Sequence, residues 1–224
     1  MISILIPIYN GIEFIDESVS SVLQQTYKDW ELLIGVNGHS ENSEVYHIAK
    51  EYEKKSIKIK VYDFHYIKGK SITLNEMIKY CNFNFIAILD VDDIWHPQKL
   101  EIQSYKLNDF DVVGSQCIYF GDRLNGITPI IPFGNISNID FSFLNPVINS
   151  SVIIRKELCY WNGDWDGVED YDMWLRLRKQ NKKFYNLKEI LVKHRIHSQS
   201  AFNAKGNNAK VDSLLISHGL KYRY

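Results

Sequence analysis

The chain opens on a short apolar run, Ile2 to Ile8, passes through a polar turn at Asn10-Gly11, and then places Ile15, Val19, Val22 and Leu23 at helical spacing. This pattern predicts a buried strand followed by an amphipathic helix. The alternation repeats. Glu31 to Val36 reads as a second strand, Val45, Ile48, Ala49 and Tyr52 as one face of a second helix, and Ile57, Ile59 and Val61 as an alternating third strand. A third helix carries Ile72, Met77, Ile78 and Cys81. Phe85 to Leu89 is apolar without interruption, as in a strand covered on both faces, and it runs directly into Asp90.

Strands alternating with helices predict an α/β fold: a Rossmann-like, doubly wound, mostly parallel sheet flanked by helices. Ligands of such sheets sit beyond the carboxyl ends of the strands, where the polar turns Asn37 to Asn42 and Asp90 to Asp93 fall. Beyond about Tyr105 the rhythm loosens. Asp111 to Tyr119 and a stretch around Val147 to Arg155 read as strands on either side of a Gly-, Pro- and Asn-rich segment, Gly121 to Asn138. An amphipathic helix with Trp174, Leu175 and Leu177 follows, then an apolar strand from Ile190 to Val192. From Asn203 a polar loop leads to a short helix with Val211, Leu214 and Leu215, expected to pack loosely. The whole is read as one domain, 1–224, with an N-terminal half, 1–105, and a C-terminal half, 106–224.

A chain of 224 residues, 45% of them hydrophobic, can bury one substantial core. Its 26 basic and 27 acidic residues leave a net charge of -1, so no global field draws nucleic acid, and any charged ligand is held locally. Cys81, Cys117 and Cys159 form neither a disulfide framework nor a CxxC metal pair, which points to a reducing, cytoplasmic setting. The first apolar run is too short for a membrane span, lacks a basic leader and contains Pro7, so membrane contact is expected to be peripheral or through a partner.

Three clusters carry candidate chemistry. In Asp90-Val91-Asp92-Asp93, carboxylates two apart on extended chain project to one side and can share a cation such as Mg2+ or Mn2+, with a diphosphate completing the site. The same residues can also simply form a turn and cap the helix that begins near Pro97. Glu169-Asp170 stands just before the Trp174 helix, where a carboxylate can accept a proton from an attacking hydroxyl, although acidic residues favour helix starts in any case. In His194-Arg195-Ile196-His197 the histidines can ligate metal and Arg195 can neutralise phosphate; a polar surface explains the cluster equally.

Taken in chain order, these segments resemble the family 2 glycosyltransferases of the GT-A fold, over nearly the whole chain. Ile4 to Asn10, ILIPIYN, is similar to the family's first strand and its PxYN turn, and Ser20 to Tyr27, SSVLQQTY, to its first helix. Phe85 to Pro97, FIAILDVDDIWHP, resembles the metal-binding DxD segment. Pro146 to Lys156, PVINSSVIIRK, and Glu169 to Arg176, EDYDMWLR, resemble the acceptor strand and the catalytic-base motif. Arg195-Ile196-His197 with Ser198 and Ser200 looks like a late family motif.

The resemblance implies an inverting, metal-assisted transfer of sugar from a nucleotide-sugar, a UDP-sugar in the first instance, to a hydroxyl of a glycan or other acceptor. It implies Mn2+ or Mg2+ on Asp92 with Asp90 and His197, and Asp170 as general base beside Glu169. Pro7, Tyr9, Asn10, Asn37, Lys70, Asn75, Asp90, Asp92 and Arg195 would contact the donor, and residues 106–224 would receive the acceptor. Two departures stand out. Val36-Asn37-Gly38-His39-Ser40 replaces the family's aspartate-rich turn, so that Asn37 occupies an Asp position. Leu74-Asn75 lacks the preceding arginine, for which Lys68 or Lys70 would substitute. Trp161 and Trp165 offer a sugar platform or core packing. The alternative from a different class is a weak or inactive nucleotide-sugar-binding module of a larger assembly.

Overall fold

The computed structural model describes residues 1–122, 124–198 and 207–220. Four parallel strands, β1 (Ile2–Ile8), β2 (Trp30–Asn37), β3 (Ile59–Phe64) and β4 (Phe85–Ile88), lie in the order β3-β2-β1-β4. Helices α1 (Ile15–Leu23), α2 (Glu44–Lys50) and α3 (Lys70–Met77) make the crossovers that parallel pairing demands. The second half supplies β5 (Ile94–Trp95), α4 (Lys99–Ser104), β6 (Val112–Gly121), β7 (Gly134–Asn135), β8 (Ile153–Arg155), α5 (Glu169–Lys179), β9 (Phe184–Ile196) and α6 (Asn207–Ser217). Among the described residues these complete one nine-stranded sheet, continuing from β4 through β8, β6 and β9 to β5, with β7 paired to β9. β8 enters antiparallel between β4 and β6, whereas β6 and β9 are parallel.

The alternation of side chains along each strand divides the core into two layers. Ile2, Ile4, Ile6 and Ile8 of β1 pack with Ile15, Val19 and Val22 of α1 on one face. Leu5 points the other way, with Leu33, Ile86 and Ile88, towards Leu74 and Met77 of α3 and Trp174 and Leu177 of α5. The α3 contact is close: a Cβ on Gly35 would stand 2.7 Å from the Met77 sulfur. Only the missing side chain lets the helix seat against β2.

Several sequence expectations are corrected. Ile57 is 88% exposed and precedes β3, and Ile48 and Ile72 face solvent instead of the core. The strand expected around Val147 to Arg155 is confined to β8, because Asn149, Ser150 and Ser151 form a 3-10 turn in front of it. The strand expected at Ile190 to Val192 extends over thirteen residues, so that His194 and Arg195 are strand residues. Its register against β6 slips between Ser115, paired with Leu187, and Gln116, paired with Ile190. Trp161 is wholly buried and offers no sugar platform, while Trp165 packs against the same core layer. α6 is not loosely packed on its inner face, since Leu214 and Leu215 are buried. The polar loop begun at Asn203 lies, up to residue 206, outside the described residues, as does Ser200.

Candidate active site

The carboxyl ends of β1, β2 and β4 meet at one edge, and the expected residues cluster there according to their strands. Pro7 is buried within β1, and Tyr9 and Asn10 emerge beyond it. The Tyr9 ring lies over Gly38, where a Cβ would stand 2.7 Å from ring carbons. His39 stacks beside that ring at 5.6 Å and donates from Nε2 to the Tyr9 carbonyl at 2.6 Å. Asn37, the last residue of β2, is buried.

β4 delivers Asp90 to the same edge, where its carboxylate is already engaged. Lys70 Nζ, from the first turn of α3, stands 2.5 Å from Oδ1, and Asn149 Nδ2 donates to Oδ2 at 3.1 Å. Burial alone would raise this carboxyl's pKa, but the Lys70 ammonium and the Asn149 amide outweigh burial and hold it below the ordinary value. The ammonium itself is held above its usual range: burial opposes the charge, and Asp90 and Glu169 outweigh that opposition.

The rest of the aspartate turn is gripped by the end of β9. Asp93, fully buried, accepts from the Arg195 backbone N–H at 2.8 Å and from His194 Nδ1 at 2.9 Å. Burial works against charge on His194, yet Asp93 outweighs it and pushes the imidazole up to about 9. Arg195 sends Nε to the Asp92 carbonyl at 2.8 Å and a terminal nitrogen to Glu17 at 2.7 Å, with its guanidinium over the rings of Phe14 and Phe120. Asp92 meets His197 Nε2 at 3.1 Å. Burial first, then the neighbouring Asp93 and Asp90 carboxylates, push the Asp92 carboxyl up to about 6.

Across this edge stands the start of α5. Glu169 Oε2 accepts from the Gly167 N–H at 2.5 Å, and its Oε1 lies 3.5 Å from Lys70 Nζ. Asp170 accepts from Asn145 Nδ2 at 2.9 Å and from the Tyr171 N–H at 2.7 Å. Burial, reinforced by Glu169, raises its carboxyl to about 6. α3 and the approach to α5 are also joined through Asp166, which accepts the Ser71 N–H at 2.9 Å and its hydroxyl. On the far side of the base helix, Asp172 is held by Arg176 at 2.8 Å and by His218 at 2.9 Å.

The structure thus brings Asp90, Asp92, Lys70, Glu169, Asp170, Arg195 and His197 to one edge, with Tyr9, Asn10 and Asn37 alongside. Asn75 is differently employed: its amide exchanges two hydrogen bonds with the backbone of Trp161, at 2.6 and 3.0 Å, and so ties α3 to the second half. Arg195 likewise has its guanidinium committed to Asp92, Glu17 and two rings, which makes it a brace of the aspartate turn. Lys68 is exposed, and Lys70 is the cation that reaches the carboxylates. Sequence reading missed Asn145, Asn149 and Ser150, whose hydroxyl accepts the Asp90 N–H at 3.1 Å. The signal was the polar Asn149-Ser150-Ser151 interrupting an otherwise apolar segment. Among the described residues no three His, Cys, Asp or Glu side chains gather as a ready metal cage.

Known proteins similar to this chain bear on its family and fold. The chain is 31% identical over 211 residues to the O-antigen biosynthesis glycosyltransferase WbnJ of Escherichia coli, covering 89% of this chain and 81% of that protein. It is 29% identical over 220 residues to the Escherichia coli UDP-Glc:alpha-D-GlcNAc-diphosphoundecaprenol beta-1,3-glucosyltransferase WfgD, covering 94% and 83%. The solved mannosyltransferase PcManGT of Pyrobaculum calidifontis, in complex with GDP-Man and Mn2+, superposes with a TM-score of 0.73 at 13% identity; the match covers 97% of this chain and 62% of that one. This last likeness bears on the fold alone. The model of glycosyl transferase family 2 matches residues 3–205, and with this architecture and these relatives the chain belongs to that family.

Proposed function

We propose that this glycosyltransferase moves a sugar from a UDP-sugar to a hydroxyl of an acceptor, with inversion at the anomeric carbon. The observation that carries the reading is the bridge made by Lys70, whose single ammonium reaches both Asp90 and Glu169. It puts the donor-side aspartates and the base-side carboxylates around one space, as a direct displacement requires.

Asp170 is the base. Its carboxylate takes the proton of the acceptor hydroxyl as that oxygen bonds to the anomeric carbon, while the bond from that carbon to the diphosphate oxygen breaks and its electron pair leaves with the diphosphate. A pKa near 6 leaves the group ionised at neutral pH yet basic enough to hold a proton. Asn145 orients it. Tyr9, Asn10 and Asn37 receive the nucleotide; Asn37, an amide, offers uracil both a donor and an acceptor.

A divalent cation fits the donor set on one specific ground. Asp90, Asp92 and Asp93 crowd three carboxyl groups into a largely buried turn, a crowding that with burial disfavours charge on Asp92 and that a cation would relieve. Asp92 and His197 would hold it, with Asp90 beside them; Mn2+ or Mg2+ takes its other ligands from donor oxygens and water. When bound, such an ion offsets the charge that builds on the departing diphosphate.

For the acceptor we take a sugar hydroxyl carried on a lipid diphosphate. The chemistry in the name of WfgD supports this class. The test is a thermal-shift and hydrolysis screen of UDP-, GDP- and dTDP-sugars with and without Mn2+, on the protein and on Asp92→Ala. Metal-dependent stabilisation by a UDP-sugar, lost in the variant, is the expected result. No response to any donor would overturn the reading in favour of an inactive module, with Asn37→Asp the first reversion to make.

A further inference from the structure

The connection between β6 and β8 carries an apolar stripe that the proposed chemistry does not use. Ile127, Ile130 and Phe133 are 48%, 98% and 67% exposed and recur at every third position in a stretch containing Pro129 and Pro132. The Ile131 N–H donates to the Pro129 carbonyl at 3.2 Å, a tight turn that has Ile130 as its central residue. The stretch is tied down along its length. Tyr119 N–H donates to the Ile127 carbonyl at 2.8 Å, Asn186 Nδ2 to the Pro132 carbonyl at 2.9 Å, and Gly134 and Asn135 pair with β9. An ordered segment that holds an isoleucine almost wholly in water is not explained by core packing.

Two neighbours indicate what covers it. Asn135, two residues beyond Phe133, lines a cavity of about 400 Å³ with Arg178, Lys182 and Lys183, set against one carboxylate, Asp109. Among the described residues none of these three cations is paired with a carboxylate. Farther along, the same connection leads through Leu144, 39% exposed, to Asn145 on the proposed base. Apolar side chains beside unpaired cations match the two layers of an anionic lipid surface, acyl boundary and phosphate headgroups.

We propose that Ile127, Ile130 and Phe133, with Arg178, Lys182 and Lys183, dock the protein on an anionic membrane. Phe133 and Ile130 enter the headgroup boundary and the cations meet lipid phosphates. No helix among the described residues is long and apolar enough to cross a membrane. The inference rests on the reading of the acceptor as lipid-linked, because the same connection ends at the base.

The test is co-sedimentation with vesicles of phosphatidylethanolamine and phosphatidylglycerol, and with phosphatidylcholine vesicles. The wild-type chain is expected to bind the anionic vesicles. The double variant Ile130→Asp/Phe133→Asp should lower that partition about tenfold or more, since two apolar anchors are lost. Lys182→Glu/Lys183→Glu should remove the preference for anionic lipid. Both variants should keep the wild-type melting temperature and its shift with UDP-sugar. Wild-type protein that ignores anionic vesicles, a double variant that sediments as well as wild type, or a concentration-dependent dimer that the double variant dissolves would each overturn the proposal. Vesicle binding without any donor response would instead sink the transferase reading and leave the surface standing.

Discussion

Lys70 stands 2.5 Å from Asp90, so the first turn of α3 supplies the counter-charge for the first residue of the aspartate turn. The same ammonium lies 3.5 Å from Glu169. Lys70→Met removes the charge and keeps the stem, leaving two carboxylates uncompensated. We expect a stability loss of about 2 kcal/mol, read from denaturant midpoints, and a drop in transfer of about 100-fold. Near-wild-type transfer by Lys70→Met would show that the bridge is incidental.

The pH profile follows from Asp170, whose carboxyl is pushed up to about 6. As a base it must be ionised, so the rate should climb about tenfold per unit up to that value and then level. Asn145 stabilises the ionised form through its 2.9 Å bond, so Asn145→Ala should move the inflection upward. A profile that is flat from pH 5 to 8 at about constant donor saturation would remove Asp170 as the base.

The same shift has a consequence for stability. The folded carboxyl binds its proton more tightly than the unfolded one, so between the ordinary value of 3.8 and about 6 the folded state holds more protons and stability falls as pH rises. Asp170→Asn should therefore be at least as stable as wild type above that window while losing about 100-fold or more in turnover and keeping its donor-induced thermal shift. A variant that melts early would point to a structural carboxylate.

Asp92 and Asp93 should separate cleanly. Asp93 is buried on the backbone of Arg195 and the ring of His194, so Asp93→Ala removes the acceptor of both hydrogen bonds and should cost about 3 kcal/mol. Asp92→Ala should lower donor binding and metal response with little change in melting temperature. Equal effects of the two substitutions on both readouts would contradict this division.

Gly38 has φ of 75° and no room for a Cβ beneath the Tyr9 ring. Gly38→Ala should cost about 1–2 kcal/mol in strain and, by lifting Tyr9, weaken donor binding more than it lowers turnover. Unchanged donor affinity would separate Tyr9 from the nucleotide.

The local part of this structure was legible because periodicity reports what each residue packs against. β1, β2 and β4 follow from their apolar runs, and the run into Asp90 located the aspartate turn. The partners of that turn were not legible. Asn149 reaches Asp90 from 59 residues away and Arg195 reaches the Asp92 carbonyl from 103. Sequence spacing holds no trace of such pairings, which arise from the antiparallel entry of β8 and the slipped register of β9. For the same reason the hydrogen bonds that Arg195 and Asn75 make to the protein itself were not legible.

The grip of β9 on Asp93 also constrains how the enzyme is made. During synthesis the aspartate turn leaves the ribosome long before His194 and Arg195, and until they arrive a carboxylate destined for the interior has no counterpart. On the proposed reading the donor site is expected to mature late, after nearly the whole sheet has been assembled, and residues 1–105 produced as a fragment should not hold a donor. Recombination between relatives at that midpoint would likewise separate Asp93 from its partners, so chimaeras joined there are expected to be less stable than either parent.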